Sequence, residues 1–329
     1  VNKIDFVVTW VDGSDEKWLK EKNKYKADKN QDASNTRYRD YEIIKYFFRS
    51  VEKYAPWVNK IYFITWGHVP KWLNQKNSKL VIVKHKDFIP KKYLPTFNSC
   101  AIELNMHRIK DLSETFVYFN DDIVLNNYTK EKDFFENGYP KDSAVLNAII
   151  PYGKSNFEHR LVNNSNLINR NFNMMSVIKR NPFKWFNFKY GSDLIRTFCL
   201  LPWKNFSTIK QYHIPISFFK SAFYKVWQKE EEVMDISCKD KFRSFFGVNP
   251  WAIQGWQICE GKFMPRSYKF GKLCTITNNN EDIYKELKRK KYKVLCLNDT
   301  DSATDFDKIK KELTEELEKK FPDKSSFEK

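Results

Sequence analysis

A chain of 329 residues carries 58 Lys and Arg against 41 Asp and Glu, a formal charge of +17. Its 28 Phe, 17 Tyr and 10 Trp supply enough apolar surface to collapse, which excludes a disordered polyelectrolyte, and 9 Gly exclude a collagen or a flexible linker. No apolar run approaches the ~18 residues of a membrane-spanning helix, and the length suits one large domain or two.

Residues 4–11, IDFVVTWV, form an apolar, β-branched run that stops at Asp12-Gly13-Ser14-Asp15, the pattern of a buried strand and its turn. Residues 15–30 are charged and helix-prone. From 40 to 54, Ile43, Ile44, Phe47, Phe48 and Val51 recur at helical spacing until Pro56. Residues 60–67 and 79–85 read as two more buried strands, 99–109 as a helix, and 116–125, FVYFNDDIVL, as a fourth strand carrying two carboxylates. This alternation predicts an α/β fold with a mostly parallel central sheet. Ligands bind such sheets beyond the carboxyl ends of the strands. Asp12, Asp15, Thr65, Asn120, Asp121 and Asp122 stand there.

Beyond residue 150 the pattern becomes helical, at 157–180, at 213–232 entered through His213-Ile214-Pro215, and at 249–260. Residues 293–299 return to a strand ending in Asn298-Asp299, and 308–321 form an amphipathic helix. The reading is one catalytic domain with an α/β half at 1–150, a mainly helical half at 151–290, and a strand and helix at 291–329 that rejoin the core. No two of the six cysteines are closer than 15 residues, which excludes CxxC and zinc-ribbon spacing. Reduced thiols and no signal-peptide pattern at the start point to the cytoplasm.

Asn120-Asp121-Asp122 at a strand end suits a hard cation, Mg²⁺ or Mn²⁺, that also takes phosphate oxygens. The same pair also makes an ordinary turn. Glu103, on the helix before that strand, is either a surface carboxylate or one facing the metal. His213 is either a capping residue or an acid, base or phosphate ligand. Arg37, Arg160 and Arg243 can clamp phosphate in bidentate fashion. There is no Gly-rich phosphate loop, so the charge of a nucleotide diphosphate would fall to metal and side chains.

Three blocks carry a family resemblance: IDFVVTWVDGSD at 4–15, RYRDYEIIKYFFRSVEKYAPWVNKIYFITWGHVPKWLN at 37–74, and LPTFNSCAIELNMHRIKDLSETFVYFNDDIVL at 94–125. They closely resemble the Stealth family, which includes bacterial capsular polysaccharide phosphotransferases and the catalytic subunit of GlcNAc-1-phosphotransferase. YHIPISFFKSAFYKVW at 212–227, KFRSFFGVNPWAIQGWQICEGKF at 241–263 and KVLCLND at 293–299 are similar too, so the resemblance spans nearly the whole chain. It implies a modified nucleotide-sugar transferase fold of the GT-A type. It also implies transfer of a sugar 1-phosphate from a nucleotide sugar to a hydroxyl of a saccharide acceptor. Residue by residue, it assigns catalysis to Glu103, Asp122, His213 and Arg243. Metal binding falls to Asp121, Asp122 and Asp299. Substrate binding falls to Asp12, Asp15, Thr96, Asn98 and Asn298; Arg37 and Arg160 join them as substrate-binding candidates on their phosphate-clamping chemistry, Arg160 lying outside the blocks that match. A nucleic-acid partner is not implied. The alternatives are an ordinary metal-dependent glycosyltransferase, or a basic protein binding single-stranded nucleic acid.

One stretch finds no match in the family pattern. In residues 181–206, Trp185, Phe186, Phe188, Tyr190 and Trp203 alternate with Lys184, Lys189 and Lys204. That composition suits either a peripheral membrane contact serving a lipid-linked acceptor, or a second core.

Overall fold

The computed structural model describes residues 3–25, 31–32, 38–151, 157–300 and 302–329; Arg37 lies outside the described residues. The first apolar runs become the strands β1 (Ile4–Thr9), β2 (Ile61–Thr65) and β3 (Leu80–Lys84), paired in parallel with Val8 opposite Phe63 and Phe63 opposite Ile82. Helix α1 (Glu16–Lys22) is shorter than its charged sequence suggested, and α2 (Ile43–Tyr54) follows the predicted spacing closely. The six-residue α3 (Ser99–Leu104) is continued by one 3₁₀ turn, Met106–Arg108.

The run at 116–125 is not one strand. It splits into β4 (Thr115–Phe119) and β5 (Ile123–Leu125), with Asn120-Asp121-Asp122 in the break. Strand β4 lies parallel to β1, whereas β5 leaves for a second sheet. The two carboxylates therefore sit where two sheets meet.

Helices α4 (Phe157–Asn171), α5 (Met174–Arg180) and α6 (Leu194–Leu200) open the second half. His213-Ile214-Pro215 leads into a strand, β6 (Ile216–Phe219), not into a helix; the helix α7 (Lys220–Lys229) begins four residues later than Ile216. The apolar spacing of ISFFKSAF fits both periods. What decides is the open edge of β4: β6 pairs antiparallel to it, with Ile216 opposite Tyr118. Two further helices follow, α8 (Glu231–Lys239) and α9 (Pro250–Cys259). The Gln257 amide of α9 covers the outer edge of β6, accepting from the Phe219 N–H at 2.8 Å and donating to the Ser217 carbonyl at 3.2 Å. A sheet edge closed in this way offers no template to another chain.

The C-terminal elements are β7 (Gly271–Thr275), α10 (Glu281–Arg289), β8 (Val294–Asn298) and α11 (Phe306–Lys320). The main sheet has the order β6-β4-β1-β2-β3 and is parallel except for β6; the second has the order β7-β8-β5. Because successive strand residues point to opposite faces, the main sheet divides the interior in two. Val7, Tyr62, Ile64 and Phe116 pack against the helical half. Phe6, Val8, Phe63 and Phe119 pack against α2, the second sheet and α11. Helix α2 is fastened to the chain's end by the buried Arg49. Its guanidinium donates twice to Glu328, at 2.8 Å each, once to Glu318 at 2.7 Å and once to the Phe321 carbonyl at 2.6 Å.

Candidate active site

A pocket of about 330 Å³ opens beyond the carboxyl ends of β1 and β4, over the break that holds the aspartates. Of the residues singled out from sequence, it gathers Thr96, Glu103, Asp121, Asp122, Arg160, His213, Arg243, Asn298 and Asp299. These come from chain positions two hundred residues apart, and the fold alone brings them together.

The Asp121 carboxyl is pushed well above the usual carboxylate range by burial, then by the charges of Asp122 and Asp40. Burial lifts Asp122 to about 6, against a hydrogen bond from the Cys296 thiol to Oδ2 at 3.4 Å. Asp122 Oδ1 is buried with no partner. A buried carboxylate oxygen without a donor is costly unless a cation meets it. The oxygen-only donor set of Asp121 and Asp122 fits a hard divalent ion that fills its remaining positions with water and phosphate. Asp299 does not join them. Both its oxygens are held by Arg39, at 2.8 and 2.9 Å, and Oδ1 also accepts from Tyr41 at 3.2 Å. Among the described residues no three His, Cys, Asp or Glu side chains gather as a ligand set.

Glu103 and Ser99 stand one turn apart on α3 and so share a face. Glu103 takes hydrogen bonds from the Tyr118 and Ser99 hydroxyls, yet burial holds its carboxyl above the usual range, offset chiefly by Arg243. Ser99 Oγ accepts from Arg243 at 2.8 and 3.1 Å, and Tyr118 shares a 3.0 Å hydrogen bond with Thr9. A continuous polar chain thus runs from Arg243 through Ser99 and Glu103 to Tyr118 and Thr9. The buried Arg160 of α4 adds a second positive charge beside Glu103.

His213 adopts a left-handed backbone, φ 48°. Such a conformation is costly for a residue with a Cβ and persists only where its surroundings enforce it. Here the Tyr212 hydroxyl donates to Asp193 at 2.8 Å, and the buried Arg266 donates to the Pro215 carbonyl at 3.3 Å. The imidazole lies flat on Phe157, centroids 5.8 Å apart, with Trp251 edge-on at 5.1 Å. Burial lowers its pKa, so at neutral pH it is an uncharged base.

Asp12, Asp15 and Asn98 do not line the pocket; they build the backbone around it. Asp12 Oδ1 accepts from the Ser14 N–H at 2.8 Å and hydroxyl at 2.6 Å, a turn. Asp15 caps α1 through the Trp18 N–H at 2.8 Å, and Asn98 caps α3 through the Cys100 N–H at 3.1 Å. Residues that the sequence did not single out complete the site. Tyr118, Ser99, Thr9, Phe157 and Trp251 are among them, and only the Ser99–Glu103 helical spacing could have flagged one.

The pocket is locally acidic in a strongly basic protein. Asp40, Glu103, Asp121, Asp122 and Asp299 face Arg39, Arg160 and Arg243, and among the described residues no lysine lines it. An α/β enzyme with paired carboxylates at a sheet junction, one buried and two half-buried guanidiniums and a neutral imidazole has the groups to take an anionic substrate together with a cation. The chain belongs to the Stealth family: it matches conserved region 1 of Stealth proteins at residues 2–29, conserved region 2 at 37–142 and conserved region 4 at 285–329. Glu103, Asp121 and Asp122 fall in region 2, Asn298 and Asp299 in region 4, and His213 and Arg243 between the matched stretches. Capsular polysaccharide phosphotransferase WcwK of Streptococcus pneumoniae is 48% identical over 332 residues, covering all of this chain and 99% of that protein. Exopolysaccharide phosphotransferase cps2G of Lactiplantibacillus plantarum is 45% identical over 328 residues, 99% of this chain and 96% of that one. Receptor polysaccharide phosphotransferase WefC of Streptococcus oralis is 38% identical over 336 residues and all of both chains. Among solved structures, the galactosyltransferase LgtC in complex with donor and acceptor sugar analogs aligns with 96% of this chain and 95% of its own, at 10% identity and a TM-score of 0.39. That likeness is too distant to speak to chemistry.

Proposed function

We propose that this chain transfers a sugar 1-phosphate from a nucleotide sugar to a hydroxyl of a saccharide acceptor in the synthesis of a capsular or other cell-surface polysaccharide. The relatives' names, all polysaccharide phosphotransferases, support the class of reaction. The single observation that carries the site assignment is the meeting of Asp122, with its unpartnered oxygen, and the Arg243–Ser99–Glu103 chain in one pocket with His213.

The acceptor oxygen attacks the sugar-linked phosphorus, the bond to the nucleoside monophosphate breaks, and the acceptor proton must leave. His213, neutral and clamped between Phe157 and Trp251, receives that proton. Arg243 and Arg160 face the phosphoryl oxygens, and fixed donors of this kind stabilise developing charge without reorganising. Glu103 holds Arg243 in place through Ser99. A divalent ion on Asp121 and Asp122 would supply charge neutralisation for the diphosphate.

Incubation with a panel of UDP- and GDP-sugars, Mg²⁺ and an acceptor saccharide tests this reading. Release of UMP or GMP is expected; release of the nucleoside diphosphate instead would make the chain an ordinary glycosyltransferase. Asp122→Asn should abolish release while the circular dichroism spectrum stays that of wild type. His213→Ala should lower turnover by about 10²–10⁴-fold, the usual worth of a general base, with donor affinity retained.

A further inference from the structure

The aromatic and basic stretch at 181–206 divides in the fold. Trp185 and Tyr190 are fully buried, as a core would have them, but their neighbours are not. Phe188 is 95% exposed, Phe183 85%, Trp203 69%, Ile195 64% and Phe198 55%. Single exposed apolar side chains are ordinary; five within 21 residues of chain are not.

Two of them share a helix face, and the other three stand on the turns that flank it. Ile195, Phe198 and Cys199 are exposed at i, i+3 and i+4 on α6, hence on one helix face. The opposite face is anchored inward through Thr197, which is buried and accepts from the Leu146 N–H at 3.1 Å. Phe198 stacks on Phe186 at 5.2 Å, which joins that face to the helical turn Pro182–Trp185 bearing Phe183. Trp203 and the exposed Lys204 follow directly in the 3₁₀ turn Leu201–Trp203 and its end.

Charge says what covers it. From 179 to 204 the chain has six basic residues, Lys179, Arg180, Lys184, Lys189, Arg196 and Lys204, and one acid, Asp193. That acid is already paired with Lys210 at 2.6 Å and Arg196 at 3.1 Å. A second copy of the chain would present the same patch to itself and set like charges together. A neutral saccharide gains nothing from the cations. An anionic bilayer satisfies both halves of the pattern: rings and aliphatic chains enter the headgroup boundary while lysines meet the phosphates.

We propose that this face, α6 with its flanking turns, docks the protein on an anionic lipid bilayer. The docking surface is braced to the site. Asp193 at the start of α6 accepts from the Tyr212 hydroxyl at 2.8 Å, and Tyr212 immediately precedes His213. Docking therefore sets the His213 loop beside the membrane, where the substrate would be a hydroxyl carried on a lipid.

Co-sedimentation of the whole chain with vesicles, read without any substrate, tests the proposal separately from the catalytic reading. The protein is expected to pellet with phosphatidylcholine vesicles containing phosphatidylglycerol and to remain in solution with phosphatidylcholine alone. The triple variant Phe183→Ser, Phe188→Ser, Ile195→Ser, and separately the pair Lys179→Glu, Lys204→Glu, should each lower the bound fraction at least about tenfold. All five sites are exposed, so an unchanged circular dichroism spectrum should accompany the loss. Equal binding to both vesicle types, wild-type binding by the triple variant, or a gel-filtration dimer that the triple variant dissolves would each overturn the proposal.

Discussion

Opposed effects decide how Glu103 is used. Burial pushes its carboxyl up, and Arg243, then the Tyr118 hydroxyl, hold it down. Tyr118→Phe removes one of those downward contributions and leaves the burial. Glu103 then protonates at a higher pH, and the acid limb of the pH–rate profile should move to higher pH; an unmoved limb would mean that Glu103 need not be ionised. A second residue reports on stability. His107 is buried, its Nδ1 has no partner, and burial lowers its pKa to about 3, with Arg108 adding to the shift. Below pH ~6.5 the unfolded chain takes up a proton that the native histidine refuses, so stability falls as pH drops toward 3. Relative to His107→Gln, urea melts of the wild type should show a steeper loss, up to about 1.4 kcal/mol per pH unit in that window. At this scale the sequence was legible where a polar residue ended an apolar run, as at Asp121 and Asp122. It was illegible at Tyr118, because a tyrosine inside TFVYF reads as core until the fold shows where its hydroxyl points.

Elements depend on partners that periodicity does not name. Helix α2 was readable from its five spaced apolar residues, yet what fastens it is Arg49 on Glu318 and Glu328 from the last turns of chain. Glu328 is itself buried at its carboxylate, with 3% side-chain exposure. Removing one partner of a buried ion pair strands the other, at a cost of about 3–5 kcal/mol. Arg49→Met should lower the unfolding free energy by that order in a denaturant titration, whereas Lys310→Met, which breaks an exposed pair with Glu42, should change it by under ~1 kcal/mol. Two elements were misread from sequence, and both errors have one cause. In both the strand at 116–125 and the helix at 213–232, one apolar pattern runs across a change of element, and pattern alone cannot see that a second sheet claims β5 or that the free edge of β4 claims β6.

At the scale of the whole molecule, the excess of positive charge is not where the substrate goes. The pocket holds five carboxylates and three arginines among its described residues. A nucleotide diphosphate brought alone meets more carboxyl groups than guanidiniums. Thermal melts should show little stabilisation by UDP or GDP without a divalent ion and a clear rise in Tm with Mg²⁺ or Mn²⁺. A ligand at a hundredfold its Kd adds about 2.7 kcal/mol. An equal rise in EDTA would remove the ion from the account.

The three-residue break between β4 and β5 has a mechanical meaning. Among the described residues the two sheets share no ladder, and Asp122 stands in the link between them: its side chain faces the pocket that the main sheet opens onto, and its carbonyl accepts from the Leu297 N–H of β8 at 2.8 Å. A ligand gripped by that carboxylate rivets one sheet to the other. Amide hydrogens of β7, outside the pocket lining, should then exchange more slowly when donor and ion are bound.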